Sequence, residues 1–254
     1  MPIRDMLGTV KPASIMKTSI TTLLGKYGYS INRIVPKETP RGMEETIRAV
    51  MRYTATSVER LMCLIESVDY IERYQIRGDI VECGVWRGGS IMAVALTLLR
   101  LKSTNRNLYL FDTFEGMPEP GIEDADSNGV SARAQFENIR CYASLDEVRE
   151  AVLKTGYPED KVHFIKGMVE DTVPSKCPDR IALLRLDTDW YQSTKHELIH
   201  LYPRLANLGV LIIDDYGYWQ GARKAVDEFV KEGTDPILLN RIDATGRIAI
   251  KTAF

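Results

Sequence analysis

The stretch GDIVECGVWRGGS, residues 78–90, decides how the rest of the chain is read. An apolar run through Ile80 and Val81 meets an acid at Glu82, bends at Gly84 and continues through Gly88 and Gly89. Residues 89–101 then read as a helix, so the glycines sit in a strand–turn–helix unit where a ligand can approach backbone. The spacing is not G-x-G-x-x-G, and no Gly-Lys-Ser/Thr follows. Neither the dinucleotide fingerprint nor a phosphate loop is present. Glu82 would repel a pyrophosphate and suit a cationic ligand.

Outward from this unit the chain alternates between helix-period and apolar runs. A helical pattern begins at Met43, and SVERLMCLIESVDYIERY, 57–74, places Val58, Leu61, Leu64, Ile65, Val68 and Ile71 on one face, with Ser57 or Thr56 as cap. Strands are expected at 79–83, 107–111, 162–167, 181–187 and 209–214, with helices at 145–154, 191–205 and 219–232 between or after them. Two short strands, PILL at 236–239 and RIAIK at 247–251, flank the turn DATG and read as a hairpin. The earlier strands are almost continuously apolar, so both their faces are covered. The expected fold class is α/β, a doubly wound, mostly parallel seven-stranded sheet of Rossmann-like type ending in an antiparallel hairpin. Residues 1–40 read as an N-terminal arm with a short helix near 15–26, and 41–254 as one domain. The polar stretch 115–144 reads as a lid, the competing account being a solvated loop.

Composition narrows the class of function. A net charge of −2 without clustered Lys and Arg argues against a nucleic-acid coat. Apolar runs near the N-terminus are too short to span a bilayer, and no membrane partner is expected. Cys63, Cys83, Cys141 and Cys177 form no CxxC pair, which points to reduced thiols in a cytoplasmic protein.

In doubly wound sheets ligands sit beyond the carboxyl ends of the strands. ECGVWRGG, DTFEG, DTDWY and DDYGYW all follow strands. Asp112 closes the second strand, where a carboxylate commonly holds ribose hydroxyls. A cationic nucleoside without phosphate satisfies Glu82 and Asp112 together, and S-adenosylmethionine is such a molecule. A glycine turn and a strand-end acid also occur in α/β proteins at large. If the strands ending LRLD and LIID are neighbours, Asp187, Asp214 and Asp215 converge. Their repulsion is relieved by a divalent cation, and the all-oxygen set suits Mg²⁺, with Mn²⁺ or Ca²⁺ as alternatives. The competing account is that Asp189 and one of Asp214 and Asp215 cap the helices that follow.

The segments VECGVWRGGS, FDTFEGMP, LRLDTDWYQST and IIDDYGYWQGARKAVDEF, in this order, resemble the macrocin O-methyltransferase family over about residues 42–250. The resemblance implies a class I methyltransferase sheet and a metal-dependent O-methyltransferase of sugar hydroxyls that uses S-adenosylmethionine. It further implies that Glu82, Gly84, Trp86 and Arg87, beside Gly88, line the methionine end of the cofactor. Asp112, with Thr113 and Phe114, would meet the ribose; Thr54 and Ser57 the amino-acid tail; Gly167 to Asp171 the adenine border. Asp187, Asp214 and Asp215 match the metal ligands, and Asp187, or else Asp189, would take the proton of the acceptor hydroxyl. The acceptor would be a glycosylated small molecule and the assembly a homodimer. Competing functions are a metal-dependent hydrolase, a nicotinamide oxidoreductase and a non-catalytic methyltransferase-like subunit.

Overall fold

The computed structural model describes residues 35–252, apart from 37, 140 and 234–235. The helix expected near 15–26 lies outside the described residues. The chain divides into a unit of residues 1–39 and a unit of residues 40–254. The sheet and the helices that cover it belong to the second unit.

Helices α1 (Arg41–Val50) and α2 (Val58–Arg73) precede the sheet. The Ser57 hydroxyl caps α2 by accepting from Arg60 N, and all six apolar positions of its helical stripe are buried. Strand β1 (Asp79–Cys83) leads through the glycine turn into α3 (Gly89–Arg100), and β2 (Leu108–Asp112) follows. After a long connection carrying α4 (Ala132–Ile139) come α5 (Leu145–Leu153), β3 (Val162–Lys166) and the short α6 (Val169–Thr172). Strand β4 (Ile181–Leu186), α7 (Tyr191–Leu201), β5 (Leu205–Ile213) and α8 (Gln220–Glu232) complete the parallel part. The hairpin β6 (Asn240–Arg241) and β7 (Arg247–Ile250) closes it.

The sheet order is β3-β2-β1-β4-β5-β7-β6, with β7 antiparallel to β5 and to β6. This is the seven-stranded class I methyltransferase sheet. Alternation along the strands sorts side chains to two faces. Val81, Cys83, Leu184, Leu186, Leu211 and Ile213 join Leu198 and Leu201 of α7 and Val226 of α8 in one core. Residues of opposite parity, including Glu82 and Arg185, therefore belong to the other face. Every residue of β4 is buried, as its apolar run implies.

Two expectations are corrected. PILL is not a strand. The Asp243 carboxylate fixes the hairpin turn by accepting from Thr245 N (2.8 Å) and Gly246 N (2.7 Å). From that turn the ladder pairs only Arg241 with Arg247 and Asn240 with Ile248. Ile237 and Leu239 leave the ladder and pack on the core instead. The second correction is α4, which a polar stretch concealed because Ala132 is its sole buried residue.

Gly84 adopts φ +80°, and an added Cβ would lie 1.9 Å from the carbonyl oxygen of Asp187. Gly156 has a similar φ of +84° but nothing within 4 Å of an added Cβ. Gly156→Ala should therefore cost only the left-handed backbone penalty, about 1–2 kcal/mol. Gly84→Ala adds a backbone clash and should cost clearly more in the same urea titration. Equal losses in the two variants would contradict this packing.

Candidate active site

Register places the acids. Cys83 pairs with Phe111 and with Leu186, and Leu186 pairs with Ile213, so these four strand ends form one row. The next residue on each strand, Asp112, Gly84, Asp187 and Asp214, forms the rim. Gly84 N donates to Phe111 O, Asp187 N to Cys83 O and Asp214 N to Leu186 O, each at 2.9 Å. A cavity of about 490 Å³ opens over this rim.

One side of the cavity is the glycine turn. Asp112 folds it: Oδ2 accepts from Val85 N (2.6 Å) and Trp86 N (3.0 Å), and Oδ1 accepts from Phe114 N (2.7 Å). Thr54, Gly84, Trp86, Asp112, Thr113 and Gly167 line the cavity. Ser57, Glu82, Arg87, Gly88, Phe114 and Asp171 do not. The Ser57 hydroxyl is engaged with Asp243 Oδ2 at 2.6 Å. Arg87 lies over the Trp86 ring, and Phe114 is buried against Phe164. Gly88, at φ +86°, starts α3.

Glu82 and Arg185 face each other across β1 and β4 and are both buried. Arg185 Nη1 donates to Glu82 Oε1 at 2.6 Å, while Glu82 Oε2 is buried without a hydrogen-bond partner. Burial pushes the Glu82 carboxyl up to about 8, against the pull of Arg185. Arg185 Nη2 also lies 2.7 Å from Asp187 Oδ2 and 2.8 Å from Asp214 Oδ1, as ion pairs without directed hydrogen-bond geometry. Arg60 Nη1 pairs with Asp214 Oδ2, and its Nε with Asp243 Oδ2 at 3.0 Å. The Thr56 hydroxyl adds a bond to Asp214 Oδ2 at 3.1 Å.

The other side is the acidic corner. Asp187, Asp214 and Asp215 each offer an oxygen within 4.8 Å of the others. Asp215 Oδ2 accepts from Asp189 N at 3.1 Å, and Asp189 Oδ1 accepts from Trp219 Nε1 at 2.6 Å. The helix-capping account fails here: Trp190 and Trp219 are the N-caps of α7 and α8, and neither helix has a side-chain cap of its own. Burial, opposed by Arg185, raises Asp187 to about 6. Burial and the neighbouring Asp187 raise Asp189 to about 8. Burial, then Asp189 and Asp187, drive Asp215 well above the usual carboxylate range. Such a set fits a hard divalent cation. Its donors are all carboxylate oxygens, they converge, and Arg185 and Arg60 offset only part of the negative charge.

The sequence reading missed Arg185 and Arg60, and it took Trp219 for an acceptor-stacking aromatic, not for the donor to Asp189. Arg185 had a signal, a lone cation inside an apolar strand, which needs buried acids around it. Arg60 had none, since it stands among the polar positions of an amphipathic helix. Beneath the corner, Glu197 is fully buried and its Oε2 accepts from the Thr188 hydroxyl at 3.1 Å. The histidines stay outside: His163 lies against Tyr109, and His196 contacts Val173 O and the His200 ring. The four cysteines are free thiols. Among the described residues, no helix is long and apolar enough to cross a membrane.

Residues 10–249 match the family described as macrocin-O-methyltransferase (TylF). The 8-demethyl-8-(2,3-dimethoxy-alpha-L-rhamnosyl)-tetracenomycin-C 4'-O-methyltransferase of Streptomyces olivaceus is 38% identical over 198 residues, 76% of this chain and 74% of that protein. The mycinamicin III 3''-O-methyltransferase of Micromonospora griseorubida is 33% identical over 178 residues, 70% of each. The solved structure of the O-methyltransferase NovP has a TM-score of 0.71 at 27% identity, covering 95% of this chain and 100% of that one. The sheet order and the sequence kinship lead to the same place: the chain belongs to the macrocin-O-methyltransferase family and is an S-adenosylmethionine-dependent O-methyltransferase.

Proposed function

We propose that this enzyme methylates a sugar hydroxyl of a glycosylated small molecule and that it requires a divalent cation, Mg²⁺ before Mn²⁺ or Ca²⁺. The observation that carries the reading is the convergence of Asp187, Asp214 and Asp215 from two neighbouring strand ends onto the cavity that the glycine turn also faces. The relative from Streptomyces olivaceus is named for a rhamnosyl-bearing tetracenomycin, which supports a sugar as acceptor.

When bound, S-adenosylmethionine supplies a methyl group on a sulfonium, and the cation supplies positive charge that favours the deprotonated hydroxyl. The chain does the rest. Gly84, Trp86, Asp112 and Thr113 form the cofactor's side of the cavity, with Thr54 and Gly167 at its border. Arg185 and Arg60 hold Asp187 and Asp214 as cation ligands, and Asp215 completes the set. Asp187 is committed to that set and to Arg185, which leaves Asp189 as the proton acceptor. The Trp219 indole N–H fixes Asp189 Oδ1, so Oδ2 receives the acceptor's proton. Met117, Pro118 and Tyr218 supply an apolar wall that excludes water from the reacting groups. Positioning and electrostatics carry the rate.

With labelled S-adenosylmethionine, label should enter a rhamnosylated tetracenomycin and not its aglycone. Label in the aglycone at equal rate would overturn the sugar assignment. Treatment with EDTA should abolish turnover and added Mg²⁺ should restore it; undiminished activity in EDTA would exclude the cation. Asp189→Asn should lower kcat by about 10²- to 10⁴-fold. Its affinity for S-adenosylhomocysteine, read by calorimetry, should stay unchanged. Wild-type kcat in that variant would remove Asp189 from the chemistry.

A further inference from the structure

The helices α7 and α8 come directly after the two acid loops, and each starts after a tryptophan that cannot cap it. The first amides of a helix need partners from somewhere. Tyr191 N, the first of α7, donates to Asp124 Oδ1 at 2.8 Å. Gln220 N, the first of α8, donates to Ala125 O at 2.8 Å. Two consecutive residues of one distant segment therefore close both helix starts.

That segment is itself fixed. Asp124 is 2% exposed. Its Oδ2 accepts from Gly121 N at 2.7 Å, and its carbonyl accepts from Ala132 N at 2.9 Å. Ala125 bridges to Ser131, and Asp126 Oδ1 accepts from Asn128 N and Val130 N. The Gln220 amide group returns a bond to Asp126 O at 2.9 Å. Gly221 leaves the space that Asp124 fills, since an added Cβ there would lie 1.9 Å from Asp124 Oδ1.

Both clamped helix starts lead back to Asp189. It stands two residues before Tyr191, and its Oδ1 is held by Trp219, the residue before Gln220. The two tryptophan rings meet edge-on at 4.9 Å, and Trp190 Nε1 donates to Pro118 O of the same segment. Asp189 keeps φ +67°, a conformation that persists where its surroundings impose it. A cap supplied locally by Ser or Asp would stabilise each helix separately. A cap supplied by one shared segment also sets the distance between the two loops.

We infer that residues 118–132 form a fixed yoke and that Asp124 is a positioning residue for the proton acceptor Asp189, an inference that rests on the proposed role of Asp189. Asp124→Asn keeps the acceptor oxygen for the Tyr191 amide and gives up only the bond from Gly121 N, whereas Asp124→Ala removes both. The Asn variant should hold kcat within about threefold of wild type and the Ala variant should lose about 10- to 100-fold, because a small misplacement at the reacting atoms is that costly. The S-adenosylhomocysteine Kd should stay at the wild-type value in both. Wild-type kcat in Asp124→Ala, an equal loss in Asp124→Asn, or a Kd that weakens in step with kcat each overturns the yoke. If the Ala variant does not fold, amide exchange in the wild-type enzyme decides. Protection of the Tyr191 and Gln220 amides equal to that of helix interiors supports the yoke, and open-chain exchange rates overturn it. Full turnover in Asp189→Asn counts against the proton-acceptor role alone, since the two amides would still be capped. Full turnover in Asp124→Ala beside a dead Asp189→Asn counts against the yoke alone.

Discussion

One guanidinium stands at the centre of this protein. Arg185 occupies a strand whose every residue is buried, where an unpaired charge would be prohibitive. It is tolerated because the parallel register sets Glu82 directly across from it, and because Asp187 and Asp214 lie within 2.8 Å at the strand ends. The dependence runs both ways. Without Arg185, Glu82 would be a buried carboxylate with no cation beside it and Asp214 would keep only Arg60, and breaking such a cluster by removing one partner typically costs about 3–5 kcal/mol. The same side chain is thus a condition of the fold and the clamp on two oxygen donors of the site.

Arg60 extends this arrangement outward. It joins Asp214 to Asp243, and Asp243 holds both the cap of α2 and the turn of the final hairpin. Burial works against the charged form of Asp243. The Ser57 hydroxyl, the two turn amides and Arg60 outweigh it and bring the carboxyl down to about 2. Charges of alternating sign thus pass from the middle of the sheet to its antiparallel edge.

The architecture was largely legible because the signals were strong and local. Continuous apolar runs marked β1, β2, β4 and β5, and six apolar positions at helical spacing marked α2. The convergence of Asp187, Asp214 and Asp215 could be stated from the strand ends once β4 and β5 were assumed adjacent. What sequence could not show was pairing. Glu82 read as a ligand for a cationic cofactor because nothing in its neighbourhood names Arg185, 103 residues away, as its partner. The competing account of Asp189 as a helix cap arose because capping is the local default, whereas a distant segment supplies the cap. Residues 236–239 read as a strand because apolar content does not reveal where a hairpin register stops.

The placement of β7 on β5 has a consequence for biosynthesis. Strand β5 ends at the residue before Asp214, and its outer neighbour is β7, formed by residues 247–250. On the ribosome these residues emerge after every other strand. Until they are threaded into place, the strand that leads to Asp214 is an unpaired edge, the kind of surface on which nascent polypeptides associate wrongly. Arg60 meanwhile lacks Asp243. The edge of β5 and the Asp243 end of the ion-pair chain are therefore supplied by segments that follow β1 to β5 in the sequence.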